Sequence, residues 1–197
     1  MKTTQERIID EALKSFLIRG YENTSLNYLA NQVNITKPAI YYYFQNKQEL
    51  LSAVLDYLLK AIDQKYSDLF EQNLTLEATL KELFFSVRRV DRIFHGLTKV
   101  PPSNFNYHRL FFDCIKYLSS NSLINDSYER HKKLLTEKII LAQEKKQISS
   151  EIDPEILAFN IIATLEGTYL VSLYLPSLDV DLIVKKMFRT LKQILFR

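Results

Sequence analysis

The stretch that decides the fold is residues 35–47, ITKPAIYYYFQNK. A helix over its middle part places Ile40 and Phe44, four residues apart, on one face, so both side chains are predicted to be core. The three consecutive tyrosines between them point in three directions and cannot all be buried. The segment therefore predicts a short helix that is fixed on one side and presents aromatic side chains on the others.

The ends of this helix are marked in the sequence. Thr36 is a suitable N-cap, and Pro38 fits in the first turn, where backbone amides need no partner within the helix. Asn34 is expected in the left-handed conformation, which asparagine tolerates best after glycine. Asn46 and Glu49 form a second cap pattern, which predicts that a long apolar helix begins next.

Two further helices are predicted upstream. Thr3 and Glu6 form a capping box for a first amphipathic helix, and Gly20 is a suitable residue for its end. Thr24 is expected to cap a second, shorter helix. The apolar side of that second helix, predicted to meet Ile40 and Phe44, consists of Leu26, Leu29, Ala30 and Val33.

The rest of the chain also has helical patterns, and strand-like alternation is absent from the sequence. Breaks are predicted near 73–75, 96–104, 119–126 and 149–154. The prediction is an all-α protein of about nine helices, with a helix-turn-helix domain over 1–46 and a helical ligand-binding and dimerisation domain over 47–197. From Ile156 to Leu175 the only charged residue is Glu166, a length that could span a membrane. Scattered polar residues favour instead a helix covered by its own core and by a partner chain.

Composition limits the possible functions. A single cysteine among 197 residues excludes an internal disulfide framework and fits a reducing cytoplasm, and the N-terminus has no apolar signal segment. The net charge is only +3, but residues 23–48 contain no acid at all. The sequence shows no nucleophile–base pair, Gly-rich phosphate loop or metal-ligand spacing, so we expect no enzyme, no cofactor and no metal.

The segment RIIDEALKSFLIRGYENTSLNYLANQVNITKPAIYYYFQNKQELLSAV, residues 7–54, resembles the N-terminal domain of TetR (tetracycline-repressor) family transcriptional regulators. The shared features are the R-G-Y end of the first helix, the T-S pair, the L-A-x-x-V run, the ITKPAIYYYF helix and N-K-x-x-L-L. The family usually has glycine at the position of Asn34 and often histidine at that of Tyr43. Beyond this segment the chain is similar to the family only in its helix pattern.

The resemblance implies a double-stranded DNA operator as partner. It places Lys37, Pro38 and Ala39 at the start of the recognition helix, where lysine can donate to guanine and the apolar pair can contact a thymine methyl. Lys47 matches a phosphate-binding lysine at the start of the fourth helix. The full set of expected DNA contacts is Thr24, Ser25, Thr36, Lys37, Pro38, Ala39, Tyr41, Tyr42, Tyr43 and Lys47.

The resemblance also implies a homodimer formed by the last two helices, and a small-molecule inducer enclosed by the C-terminal domain. The candidate ligand contacts are Phe84, Phe94, His95, Tyr107, His108, Phe111, Cys114 and Tyr169, although aromatic residues at helical spacing are usually core. The predicted function is a cytoplasmic homodimeric repressor on a palindromic operator, released by a hydrophobic or aromatic ligand. The alternatives are a nucleoid-associated protein of the same fold without inducer, and an all-helical enzyme or carrier, which leaves residues 24–47 unexplained.

Overall fold

The structure, a computed structural model, describes residues 2–85, 89–99, 107–118, 122–175 and 177–196, with only the backbone of 89–92, 94, 107, 108, 169 and 173. These residues form ten helices and no strand, which confirms the all-α prediction. The helices are α1 (Thr4–Arg19), α2 (Leu26–Gln32), α3 (Lys37–Tyr43), α4 (Lys47–Phe70), α5 (Leu76–Phe85), α6 (Arg89–Thr98), α7 (Tyr107–Tyr117), α8 (Ser122–Glu144), α9 (Pro154–Tyr174) and α10 (Val180–Leu195).

The tenth helix arises where one helix was predicted. The apolar pattern after residue 75 predicts a single helix up to about residue 95, but α5 ends at Phe85 and α6 begins at Arg89. Residues 86–88 lie outside the described part of the chain. The count of about nine was therefore one too low for the described residues.

The chain divides into two compact units. Unit 1 contains Met1–Ile62 and Asp91–Asn125, and unit 2 contains Asp63–Val90 and Asp126–Arg197. This division differs from the functional boundary predicted at residue 46, which stays a prediction. Long helix α4 contributes residues to both units.

Unit 1 is built on α1. Its capping box is formed as predicted: the Thr3 amide donates to the Glu6 carboxylate over 2.7 Å, and the Glu6 amide donates to Thr3 Oγ1 over 3.2 Å. Gly20, at φ 84°, ends the helix in a conformation that side chains rarely adopt. The face that α1 buries consists of Ile8, Ala12, Leu13, Phe16 and Leu17.

Unit 2 is centred on an apolar cluster from α5, α8, α9 and α10 and the end of α4. Asp153 caps α9 by accepting from the amides of Glu155 and Ile156 over 2.9 and 3.0 Å, and Asp179 caps α10. Both acidic caps were predicted, the second as one of two possibilities. In α9 one side is buried in this cluster, while several apolar side chains on the opposite side are exposed.

The apolar helix α9 does not qualify as a membrane span. Among the described residues, no helix combines the length and the apolar character needed to cross a bilayer.

Candidate nucleic-acid interface

Helix α3 is held by the two side chains predicted from their spacing. Ile40 is fully buried and Phe44 is 2% exposed, so the apolar side of the helix is sealed against the core. Thr36 caps the helix by accepting from the Ala39 amide over 3.3 Å. Asn34 has φ 56°, the left-handed conformation predicted for the turn that joins α2 to α3. The position of α3 is therefore fixed from within the unit.

The tyrosines of α3 face outward to different degrees. Tyr42 is 84% exposed and Tyr41 43% exposed, whereas Tyr43 is half-buried. The rings of Tyr42 and Tyr43 meet edge to face with centroids 5.2 Å apart. At the start of the helix, Lys37 and Pro38 are also exposed. The result is an outward surface of one cation, one proline ring and aromatic side chains that carry hydroxyl groups.

The N-terminus of α2 differs from the prediction. Ser25, not Thr24, is the N-cap, and its hydroxyl accepts from the Tyr28 amide over 3.1 Å. Thr24 is fully buried, and its hydroxyl donates to the Gly20 carbonyl over 3.0 Å. Because its hydroxyl is used within the protein, Thr24 supports the loop before α2 and offers no side-chain group to a phosphate. Ser25 remains exposed.

Lys47, at the start of α4, is bound to the loop between α1 and α2. Its Nζ donates to the carbonyls of Tyr21 and Glu22 over 2.9 and 3.4 Å and lies 4.2 Å from the centroid of the Tyr21 ring. Partial burial lowers the pKa of the Lys47 ammonium. An ammonium has three donors, so this arrangement leaves a third for an external acceptor.

The C-terminal end of α7 contacts the same loop. Tyr117 stacks on Tyr21 with ring centroids 4.8 Å apart, and its hydroxyl donates to the Glu22 carboxylate. Lys116 Nζ donates to that carboxylate over 3.1 Å. Gln48, in the first turn of α4, donates to the Tyr117 carbonyl over 3.2 Å. We call these contacts the α7 clamp, because they join α7 to both ends of the DNA-binding candidate surface.

The α7 clamp was not predicted. Glu22 and Tyr117 are 95 residues apart, and neither belongs to a motif. The one sequence signal is an acid that immediately precedes the acid-free window, and it gives no indication of its partner.

The candidate ligand residues do not form one described group. Phe84, in unit 2, is 2% exposed and packs against Phe188 with centroids 6.0 Å apart, as an ordinary core residue does. In unit 1, Cys114 is fully buried, and burial beside Asp113 raises the pKa of its thiol to about 12. His95 is exposed and Phe111 half-buried. The predicted side chains that lie outside the described residues are Phe94, Tyr107, His108 and Tyr169.

The described side chains also provide no grouping of three or more His, Cys, Asp or Glu suited to holding a metal ion.

The arrangement of α1 to α3, with residues 33–36 joining a buried second helix to a third helix whose outer face is free, defines a helix-turn-helix protein. Residues 8–54 match the sequence model of bacterial regulatory proteins of the tetR family. The chain belongs to the tetR family of transcriptional regulators.

Two curated relatives show the extent of the likeness. An uncharacterized HTH-type transcriptional regulator of Bacillus subtilis (strain 168), YhgD, is 28% identical over 160 residues, which cover 77% of this chain and 75% of YhgD. The negative transcriptional regulator of the biofilm operon icaADBC in Staphylococcus epidermidis, IcaR, is 34% identical over 71 residues, 32% of this chain and 38% of IcaR. The second match thus spans well under half of the relative.

Solved structures share the fold over nearly the whole chain. A tetR family transcriptional regulator from Cytophaga hutchinsonii has a TM-score of 0.70 at 22% identity and covers 97% of this chain and 92% of its own. FadR from Bacillus subtilis, solved in complex with stearoyl-CoA, has a TM-score of 0.67 at 17% identity, with coverage of 93% and 95%. At such identities the likeness concerns the fold alone.

Proposed function

We propose that the protein is a homodimeric transcriptional repressor that binds a near-palindromic operator and is released by a small hydrophobic or aromatic ligand. The observation that carries this proposal is the outer face of α3, where Lys37, Tyr41 and Tyr42 are exposed while Ile40 and Phe44 anchor the helix. A helix presented in this way fits the major groove of B-DNA.

Base and phosphate contacts are assigned by chemistry. Lys37 donates to guanine O6 or N7, and Pro38 with Ala39 contacts a thymine methyl. The hydroxyl groups of Tyr41, Tyr42 and Tyr43 reach phosphates or base edges. Phosphates are also contacted by Ser25 and Thr36 at helix N-termini and by the remaining donor of Lys47. The absence of Asp and Glu from residues 23–48 lets a phosphate backbone approach this surface without repulsion.

Dimerisation uses α9 and α10, as the resemblance predicts. Ile156 is 58%, Phe159 49% and Tyr174 74% exposed on α9, and Leu182 on α10 is 47% exposed. Apolar side chains gathered on one helix pair favour coverage by a second copy of that pair. One head reads a half-site only, so the dimer accounts for affinity on a palindrome.

Release requires a ligand that prefers the DNA-incompetent arrangement of the dimer. Helix α4 runs from the DNA-binding candidate surface into unit 2, so a change in its tilt would change the spacing of the two recognition helices. The name of IcaR describes a negative regulator, and a protein of the same fold is solved with an acyl-CoA bound; both agree with ligand-responsive repression in the cytoplasm, where the chromosome lies.

The test is a binding titration on DNA. Fluorescence anisotropy with the region upstream of the gene itself, against a shuffled duplex of equal length, should show specific binding at moderate salt. Added hydrophobic ligands should weaken that binding, and light scattering should give two chains per complex. Equal affinity for the shuffled duplex would refute the sequence-specific repressor and favour a nucleoid-associated protein.

A further inference from the structure

Glu166 is the only charged residue from Ile156 to Tyr174, a stretch of nearly six turns of α9. An isolated carboxylate in an apolar helix needs a partner or a function, because an unpaired charge is costly away from water. Among the described residues, Glu166 makes no hydrogen bond and no ion pair. Its side chain is exposed, so a ligand can reach it.

The surroundings of Glu166 are aromatic. Tyr66 on α4 and Tyr128 on α8 are half-buried against the core of unit 2. Both lie close enough to Glu166 for its negative charge to help raise the pKa of their hydroxyl groups, after the larger effect of burial. Three helices of the same unit thus bring a carboxylate and two tyrosines together.

Tyr66 has a fixed orientation. Its ring is stacked on His131 of α8, with centroids 3.8 Å apart and planes within 11°. His131 Nε2 in turn lies 2.9 Å from Asp63 Oδ1. Asp63 accepts hydrogen bonds from Ser127 and Arg130, so its charge is already balanced. The aromatic wall is therefore held in place by a closed polar group, and Glu166 remains the carboxylate without a partner.

Burial raises the pKa of the Glu166 carboxyl although its side chain is accessible. A group that is surrounded by protein and still reachable lies in a recess, not on an open surface. In such a recess a cation that pairs with the carboxylate would remove an existing electrostatic cost, whereas an anion would add to it. Aromatic rings favour a cation in the same way through their negative faces.

We infer that Glu166, Tyr66 and Tyr128 form a binding site for an organic cation, an amine or ammonium group attached to an apolar or aromatic body. The ammonium group pairs with Glu166, and the body packs between the two tyrosine rings. None of these three residues belongs to the ligand contacts predicted from sequence. The inference names the ligand class for the proposed function and rests on its ligand-responsive part, but not on DNA binding.

The test compares three probes of one shape in isothermal titration calorimetry of the DNA-free protein. The probes are phenylpropylamine, phenylpropanol and phenylpropionate, which differ in charge only at one end. A charge-assisted contact predicts that the amine binds about tenfold or more tightly than the alcohol, with the carboxylate weakest. Tryptophan is absent from the chain, so calorimetry is a better readout than intrinsic tryptophan fluorescence.

The variant Glu166→Gln keeps the shape of the side chain and removes the charge. It should abolish the preference for the amine over the alcohol and leave the affinity for the alcohol unchanged. Glu155→Gln, on the first turn of the same helix, is the matched control and should bind all three probes like the wild type. Thermal unfolding of both variants checks that each is folded.

Two results would overturn the inference. One is equal affinity for amine and alcohol in the wild type. The other is a Glu166→Gln variant that loses dimerisation but keeps its preference for the amine, which would assign Glu166 to contact with a second copy. Neither result bears on the repressor proposal, because operator binding is measured in a separate titration without the probes.

Discussion

Lys47 is the residue whose structural and proposed functional contacts meet in one atom. Its Nζ is bonded to the Tyr21 and Glu22 carbonyls and is the proposed partner of a phosphate. We expect Lys47→Met, which keeps the apolar stem over Tyr21, to weaken binding about tenfold on every DNA sequence. The slope of log affinity against log salt should fall by about one unit, since one counterion fewer is released.

Anisotropy titrations over a range of salt concentrations measure both quantities. Lys60→Met, on the exposed face of the same helix, is the control and should change neither. An unchanged salt slope in Lys47→Met would mean that the ammonium serves the α1–α2 loop alone.

Lys37 makes the opposite prediction, because it lies where α3 meets base edges. Lys37→Ala should lose discrimination at one base pair, worth about 1–3 kcal/mol, and leave the salt slope nearly unchanged. Competition among operator duplexes that each carry one substituted base pair measures this. A uniform loss across all duplexes would show that Lys37 contacts a phosphate instead.

Glu166 predicts a pH dependence of stability. Its carboxyl has a raised pKa in the folded protein, above the value of 4.5 taken as its reference. The unfolded chain therefore releases this proton first, and the stability of the wild type falls as pH rises from the reference value to the folded pKa, then stays level. Glu166→Gln lacks this loss, so its Tm should exceed that of the wild type by a margin that grows between about pH 4 and pH 7.

Melting curves by circular dichroism at each pH give that margin, with Glu155→Gln as the variant that should show none. A Tm difference that is constant over the range would mean that the folded pKa is not raised.

At the scale of single elements, the helices of the DNA-binding candidate surface could be predicted because their signals are local. The cap at Thr3, the proline in α3 and the four-residue spacing of Ile40 and Phe44 each act within one or two turns. Ser25 took the cap predicted for Thr24 because two adjacent hydroxyl residues satisfy the same pattern, and only packing decides which one is buried.

The α7 clamp and the Glu166 recess could not be predicted for the opposite reason. Tyr117 meets Tyr21, and Tyr66 meets His131, across sequence separations at which no periodicity carries information. Such pairs are set by how helices pack, which depends on the volumes of many side chains at once. Aromatic residues at helical spacing consequently marked Phe84, a core residue, as readily as a ligand contact.

The α7 clamp makes a prediction about the loop between α1 and α2. Glu22→Gln removes the charge that receives Lys116 and Tyr117, so the loop should open more often. Hydrogen exchange of the amides in residues 20–25 should become a few-fold faster, while α1 exchanges as before. Asp56→Asn, which breaks an exposed ion pair on α4, is the control and should leave the loop unchanged. Unaltered exchange in Glu22→Gln would show that stacking of Tyr117 on Tyr21 holds the loop alone.

At the scale of the whole molecule, the exposed apolar face of α9 and the single recognition helix per chain have one common explanation. A head that reads half a site binds weakly, and linking two heads raises affinity by about 10²–10⁴ through effective concentration. The same face that would be unfavourable in water in a monomer is covered in a dimer. The oligomeric state and the operator affinity are therefore coupled.

Phe159→Asp tests this coupling, because it places a charge at the centre of the proposed interface, at a position 49% exposed in the single chain. The variant should stay folded by circular dichroism, elute and scatter as a monomer, and bind a full operator about a hundredfold or more weakly. Its affinity for a half-site duplex should equal that of the wild type, since each head is intact. Gln147→Asp, an exposed charge substitution in the same unit, should remain dimeric. A Phe159→Asp variant that is still dimeric would place the interface elsewhere, and a monomeric variant with undiminished operator affinity would separate dimerisation from DNA recognition.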